Sequence, residues 1–253
     1  MISKNQIKFI RQLEAKKHRQ REGLFVAEGP KVVGDLLRHY RPEHIFATPE
    51  WHPTPDSLVS RFTEVTPDEL RRISFLQHPQ QVLALFAIPE QHDTPLPTHD
   101  SLTLALDGIQ DPGNLGTIIR IADWFGIDTI YCSPDTADAY SPKVVQATMG
   151  SIARVHIIYC PLTELLDTLP PAYPVYGTLL DGDDIYHQPL TPGGIIVMGN
   201  EGNGISEPVR QRINRRLLIP SFRQGDTAES LNVAIATAIT CSEFRRSAPL
   251  VII

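Results

Sequence analysis

The stretch from Leu102 to Cys132 limits the possible folds most. Leu102 to Leu106 is an apolar run of strand length, and Asp111-Pro112-Gly113-Asn114 is a turn whose Asn114 is placed to cap a helix from Leu115. Gly126 ends that helix, and Thr129 to Cys132 is a second apolar strand. Two strands joined through a helix need a crossover connection, which makes them parallel. The alternation continues with a helix over Ser141–Met149, a strand over Val155–Tyr159, a helix over Leu162–Leu169 and strands over Val175–Leu179, Ile195–Met198 and Arg216–Ile219. A last helix opens at Leu231 with Ser230 as its N-cap. The expected class is α/β, built on a parallel sheet.

Ahead of this lies Ile88–Ser101, proline-rich, aperiodic and poor in apolar residues, so it reads as a linker. The expected boundaries are a first domain over 1–90, a linker over 91–101 and a second domain over 102–253. In the first domain, Ser3 to Gln20 predicts one amphipathic helix. Strands over Leu24–Ala27, His44–Thr48 and Gln81–Ile88 and helices over Pro30–Tyr40 and Pro67–Ile73 make a small α/β layer.

The net charge of −6 argues against a nucleic-acid partner until its distribution is considered. Residues 1–41 carry ten Lys and Arg against four acids, an asymmetry suited to phosphate contacts, with Lys16, Lys17, Arg19 and Arg21 as the candidate contacts. A solvated lysine-rich helix face would give the same pattern. Cys132, Cys160 and Cys241 form no C-x-x-C pair and the histidines no ligand spacing, so no metal is expected. The start, MISKNQIKFIRQL, lacks the features of a signal peptide, and no apolar run approaches the roughly 18 residues of a membrane span. A cytoplasmic location is the expectation.

The strand Ile195–Met198 runs into Gly199-Asn200-Glu201-Gly202-Asn203-Gly204, where glycines let backbone approach a flat ligand. Gly199, Gly202 and Gly204 stand in the wrong order for a dinucleotide fingerprint, and no P-loop, G-x-S-x-G or H-E-x-x-H occurs. Three stretches, LDGIQDPGNLGTIIRIADWFG from Leu106, GNEGNGIS from Gly199, and IPSF from Ile219 followed by ESLNVAIATAI from Glu229, resemble in order the three motifs of the SpoU/TrmH class of 2'-O-ribose RNA methyltransferases, in the SPOUT superfamily. The resemblance covers about Leu102 to Arg246. The first ninety residues are only loosely similar to the substrate-binding domains found ahead of such enzymes, and the segment between Ile219 and Ser230 is a few residues longer than in many relatives.

That resemblance implies a deep trefoil knot in the second domain, a ribosomal-protein-like RNA-binding fold in the first, and a homodimer through the knot region. It implies S-adenosylmethionine as cofactor, cradled by Thr178, Leu179, Leu180, Met198, Gly199, Asn200, Ile219, Pro220, Leu231 and Asn232. Arg120 would do the chemistry, with Asn114, Glu201, Ser230 and Asn232 around it. Because arginine stays protonated, Arg120 can grip a phosphate and the developing oxyanion as well as serve as the formal base. Ribosomal RNA is the first choice of substrate and transfer RNA the second. A catalytically silent RNA-binding factor is the alternative outside the enzyme class.

Overall fold

The computed structural model describes residues 2–51, 61–91, 95–223, 225 and 228–246. It has two compact units, one of 1–90 with 138–154 and one of 91–137 with 155–253.

The first unit holds helices α1 (Lys4–Gln12), α2 (Lys16–Glu22), α3 (Pro30–Leu36) and α4 (Pro67–Ile73) and strands β1 (Leu24–Glu28), β2 (Pro42–Ala47), β3 (Phe62–Glu64) and β4 (Val82–Ala87). Its sheet has the order β1-β4-β2-β3, with β4 antiparallel to both neighbours and β3 parallel to β2. The single N-terminal helix expected over Ser3–Gln20 is two helices. α1 starts at a reciprocal cap between Ser3 and Gln6 and stops at Leu13, whose side chain is fully buried with Ile10 against Val26, Phe46 and Leu83. Ala15 is extended, and α2 restarts beyond it.

Arg19 holds that break. Its guanidinium donates to the carbonyls of Leu13 at 2.7 Å and Glu14 at 2.6 Å and pairs with Asp138 at 2.5 Å, and the residue is 2% exposed. Its assignment as an RNA contact is therefore corrected, since its donors already serve backbone and carboxylate inside the unit.

In the second unit, β5 (Leu102–Asp107) leads through α5 (Pro112–Trp124) to β6 (Thr129–Cys132). Helix α6 (Pro142–Thr148) belongs to the first unit, and β7 (His156–Tyr159), α7 (Leu162–Asp167), β8 (Val175–Asp184), β9 (Gly194–Gly199), α8 (Glu207–Arg210), β10 (Arg215–Leu218) and α9 (Val233–Arg246) complete the second. The sheet order is β10-β8-β9-β5-β6-β7, and every pairing is parallel. All six residues of β5 are buried, as a central strand covered on both faces must be.

Two caps differ from expectation. Asp111, not Asn114, caps α5, accepting the Asn114 N–H at 2.8 Å with Pro112 at the first helical position. Asn232, not Ser230, caps α9, its Oδ1 accepting from Ala234 N–H at 3.0 Å and Ile235 N–H at 3.3 Å. Strand β8 is also longer than the predicted Val175–Leu179. Its pairing with β10 jumps from Gly177 to Asp183, so residues 178–182 make an excursion from the ladder. Short β3 and one-turn α8 had no usable periodic signal.

Candidate active site

Parallel pairing of β5 with β9 sets Leu106 beside Met198 and Asp107 beside Gly199, so the loops after the two strands emerge together. The second loop is a tight turn in which Asn200 and Gly204 exchange backbone hydrogen bonds at 2.9 Å. A side chain at Gly199 would overlap the backbone of Gly204 and Ile205, so glycine is required by close approach there. The Asn200 side chain ties the turn inward and across. Its Oδ1 accepts the N–H groups of Gly202 and Asn203 at 2.9 and 3.0 Å, and its Nδ2 donates to Gly108 O at 2.6 Å.

This turn presents Glu201 to the start of α5. The carboxylate accepts the backbone N–H of Gln110 and Asp111 at 3.3 and 3.2 Å and the Asn114 amide at 3.0 Å. Asn114 Oδ1 in turn accepts from Asn232 Nδ2 at 2.9 Å, and Asn232 Oδ1 caps α9. An ionised carboxylate can only accept and the first N–H groups of a helix can only donate, so the two ends of this relay fix the orientation of both amides. Partial burial works against charge on Glu201, but the hydrogen bonds from Asn114, its own backbone, Gln110 and Asp111 outweigh it and hold its carboxyl below the usual range. Glu201 is therefore ionised at neutral pH and a weak proton acceptor. It orients the site.

Arg120 lies two turns along α5 from Asn114, about 9 Å along the axis at 1.5 Å per residue. It is exposed, and among the described residues its guanidinium holds no hydrogen bond or ion pair. The predicted cofactor positions cluster at the same end of the sheet. Thr178 Oγ1 lies 3.5 Å from Met198 Sδ, where the 178–182 excursion leaves the ladder beside β9. Leu179 is buried and Leu180 is 75% exposed. Ile219 and Pro220, half-buried, follow β10, and exposed Ser230 and Leu231 precede the Asn232 cap. Ser230 is not brought into the relay. Residues 224, 226 and 227, in the loop noted for its extra length, lie outside the described residues.

Of the basic residues singled out in the first unit, Lys16, Lys17 and Arg21 are exposed on α2, with Arg21 paired to Glu22 at 2.7 Å. The supporting groups Asp107 and Ser133 escaped sequence reasoning. Asp107 is 8% exposed and accepts Ser206 N–H at 2.7 Å, which anchors the far arm of the Gly199–Ser206 turn. A carboxylate ending an apolar strand was the available signal for it.

Comparisons with known proteins agree with this geometry. The SpoU rRNA Methylase family model matches residues 101–242, and that of the MRM3-like substrate binding domain matches residues 4–84. The 23S rRNA (guanosine(2553)-2'-O)-methyltransferase RlmP of Bacillus subtilis is 31% identical over 248 residues, covering 96% of this chain and 97% of its own. Among solved structures, a TrmH-family protein from Porphyromonas gingivalis superposes with a TM-score of 0.87 at 45% identity, covering 98% of this chain and 100% of its own. An AdoMet-bound rRNA methyltransferase from Sinorhizobium meliloti gives 0.83 at 30% identity over 99% and 98% of the two chains. With its all-parallel second sheet fitting the trefoil-knotted SPOUT fold and a substrate-binding domain ahead of it, the chain belongs to the SpoU rRNA methylase family.

Proposed function

We propose that this protein is an S-adenosylmethionine-dependent 2'-O-ribose methyltransferase acting on ribosomal RNA. The observation that carries the reading is the relay Glu201–Asn114–Asn232. It joins three separate sequence motifs at one end of the sheet, beside an arginine with no partner among the described residues. A silent RNA-binding factor would have no need to keep that relay intact. Ribosomal RNA is favoured over transfer RNA because RlmP and the Sinorhizobium meliloti enzyme, which match nearly the full length, are named for rRNA.

The residues present suit the cofactor. Thr178, Leu179 and Leu180 leave the β8 ladder next to Met198 and Gly199, where apolar side chains and free backbone stand together, and Asn200, Ile219, Pro220, Leu231 and Asn232 would complete a cradle there. When bound, the cofactor supplies an electrophilic methyl group to the ribose 2'-oxygen. The chain's own part is to hold that oxygen in line and to stabilise the charge that grows on it. Arg120, permanently cationic and forked, suits an adjacent phosphate and the developing oxyanion. Asn114 stands on the same helix under orientation by Glu201, and Asn232 completes the polar wall.

The division of labour places RNA capture in residues 1–90 and methyl transfer in residues 102–253, with 91–101 as connection. Lys16, Lys17 and Arg21 would supply phosphate contacts. A homodimer through the second domain is supported by large apolar side chains left exposed on its packed helices, Trp124 at 85% on α5 and Ile235 at 53% on α9. A cytoplasmic location goes with this reading. Among the described residues no helix is long and apolar enough to cross a membrane.

The test is methyl transfer from labelled S-adenosylmethionine to ribosomal RNA from a strain deleted for the gene, with the product nucleoside identified. A 2'-O-methylated nucleoside is expected. Cofactor binding without transfer to any RNA would favour the silent factor.

A further inference from the structure

We infer that Ser133 is a positioning residue for the methyl-transfer site, an inference that rests on the function proposed above. Ser133 closes the end of β6 onto β5, its N–H donating to Leu106 O at 2.9 Å, and it is 5% exposed. Its hydroxyl donates to Asp135 Oδ1 at 2.5 Å. A carboxylate can only accept, so the hydroxyl proton is committed there, and Oγ accepts the Gly108 N–H at 2.8 Å while lying 3.0 Å from Thr136 Oγ1, whose own proton goes to Leu106 O.

Gly108 is the kink between β5 and α5. Its φ is +71°, and a side chain there would come within 3.1 Å of Asp135 Oδ2. While Ser133 holds its N–H, its carbonyl accepts from Asn200 Nδ2 at 2.6 Å. The Asn200 side-chain Oδ1 clamps the N–H groups of Gly202 and Asn203, fixing the turn that carries Glu201. Asp107 secures the far arm through Ser206 N–H. The path therefore runs from Ser133 through Gly108 and Asn200 to Glu201 and Asn114, each step a hydrogen bond of 3.0 Å or less except the covalent link from Asn200 to Glu201. Removing the hydroxyl frees the Gly108 kink, and the Glu201 turn shifts relative to α5.

Three variants of the full chain test this. Ser133→Ala removes the hydroxyl. Asp135→Ala removes the exposed acceptor that orients it, and so keeps the idea testable if Ser133→Ala folds poorly. Thr103→Val is a control that removes a buried hydroxyl bond to Gly194 O at the opposite end of β5. Ser133→Ala should lower kcat on ribosomal RNA by about ten-fold or more, the scale of a small misplacement, while S-adenosylmethionine affinity measured by calorimetry changes by less than about three-fold. Asp135→Ala should act in the same direction but less, and Thr103→Val should leave kcat near wild type.

A second readout is needed because the assay depends on the proposed activity. With asparagine selectively labelled with nitrogen-15, the side-chain amide signals of Asn200 and Asn114 should move in Ser133→Ala and Asp135→Ala and stay in place in Thr103→Val. If the wild-type protein methylates no RNA, the proposed function fails, and these signals alone decide the linkage. Unmoved amide signals, or a Thr103→Val variant as impaired as Ser133→Ala, would overturn the positioning role.

Discussion

Two arginines on two helices show how differently one side chain can be used. Arg19, on α2 of the first unit, is buried with its donors on two carbonyls and a carboxylate. Arg120, on α5 of the second, is exposed and unpaired among the described residues. A guanidinium whose donors are committed to carbonyls and a carboxylate within the fold is structural, and one held rigidly on a helix with its donors free is placed for a ligand. Two carboxylates repeat the contrast. Burial, only partly offset by Ser74, Phe75 and Arg11, raises the Glu28 carboxyl above its ordinary value. At Glu201 the hydrogen bonds win over burial and lower it.

The largest effect expected is on Arg19. Arg19→Ala leaves Asp138 and the carbonyls of Leu13 and Glu14 without their donor, and unpairing a buried ion pair costs about 3 kcal/mol or more. Thermal unfolding should show a clear fall in melting temperature, and Arg19→Lys should not rescue it, because an ammonium cannot span three acceptors. An unchanged melting temperature would erase the contrast between the two arginines.

Next in size is Arg120→Ala, which should leave the melting temperature and S-adenosylmethionine affinity nearly unchanged while kcat drops by about 10²-fold, as when a preorganised charge-stabilising donor is lost. Calorimetry beside a transfer assay checks this, and a collapse of cofactor binding would reassign the residue. Replacing Lys16, Lys17 and Arg21 with neutral residues should flatten the salt dependence of RNA binding by up to about one unit of slope per lost contact. Arg19, being buried, should add nothing to that slope.

The parallel sheet was legible because its buried strands are continuous apolar runs separated by helical stretches, and Asn114, Glu201 and Asn232 stand in motifs whose order survives in sequence. What could not be read was the assignment of roles within a few residues. Asp111 displaced Asn114 as helix cap, and Asn232 displaced Ser230, because a cap is chosen by backbone geometry among several polar candidates. That displacement matters for function, since it leaves the Asn114 side chain available to bridge Glu201 and Asn232. Arg19 was misread because a basic residue on a polar-looking helix gives no sign of a carboxylate that lies far along the chain.

The smallest effects should appear in acid and neutral titrations of stability, where the two carboxylates predict opposite signs. Glu201 has a folded value below its ordinary 4.5, so its contribution is present above pH 4.5 and is lost as pH falls through the folded value. Glu28 has a folded value above 4.5, so its contribution is complete below pH 4.5 and is lost as pH rises through the folded value. Glu201→Gln should therefore remove part of the acid-side loss, and Glu28→Gln part of the loss on the rising side. The same sign for both would show that the two sites do not differ as described.

The most direct test of the central claim is a comparison of wild-type protein with Arg120→Ala on ribosomal RNA from a strain deleted for the gene, with nucleoside analysis of the product. A single 2'-O-methylated nucleotide should be formed by the wild type and formed at least about 10²-fold more slowly by the variant, with cofactor affinity preserved. Equal transfer by both proteins, or methylation on a base nitrogen or carbon, would contradict it.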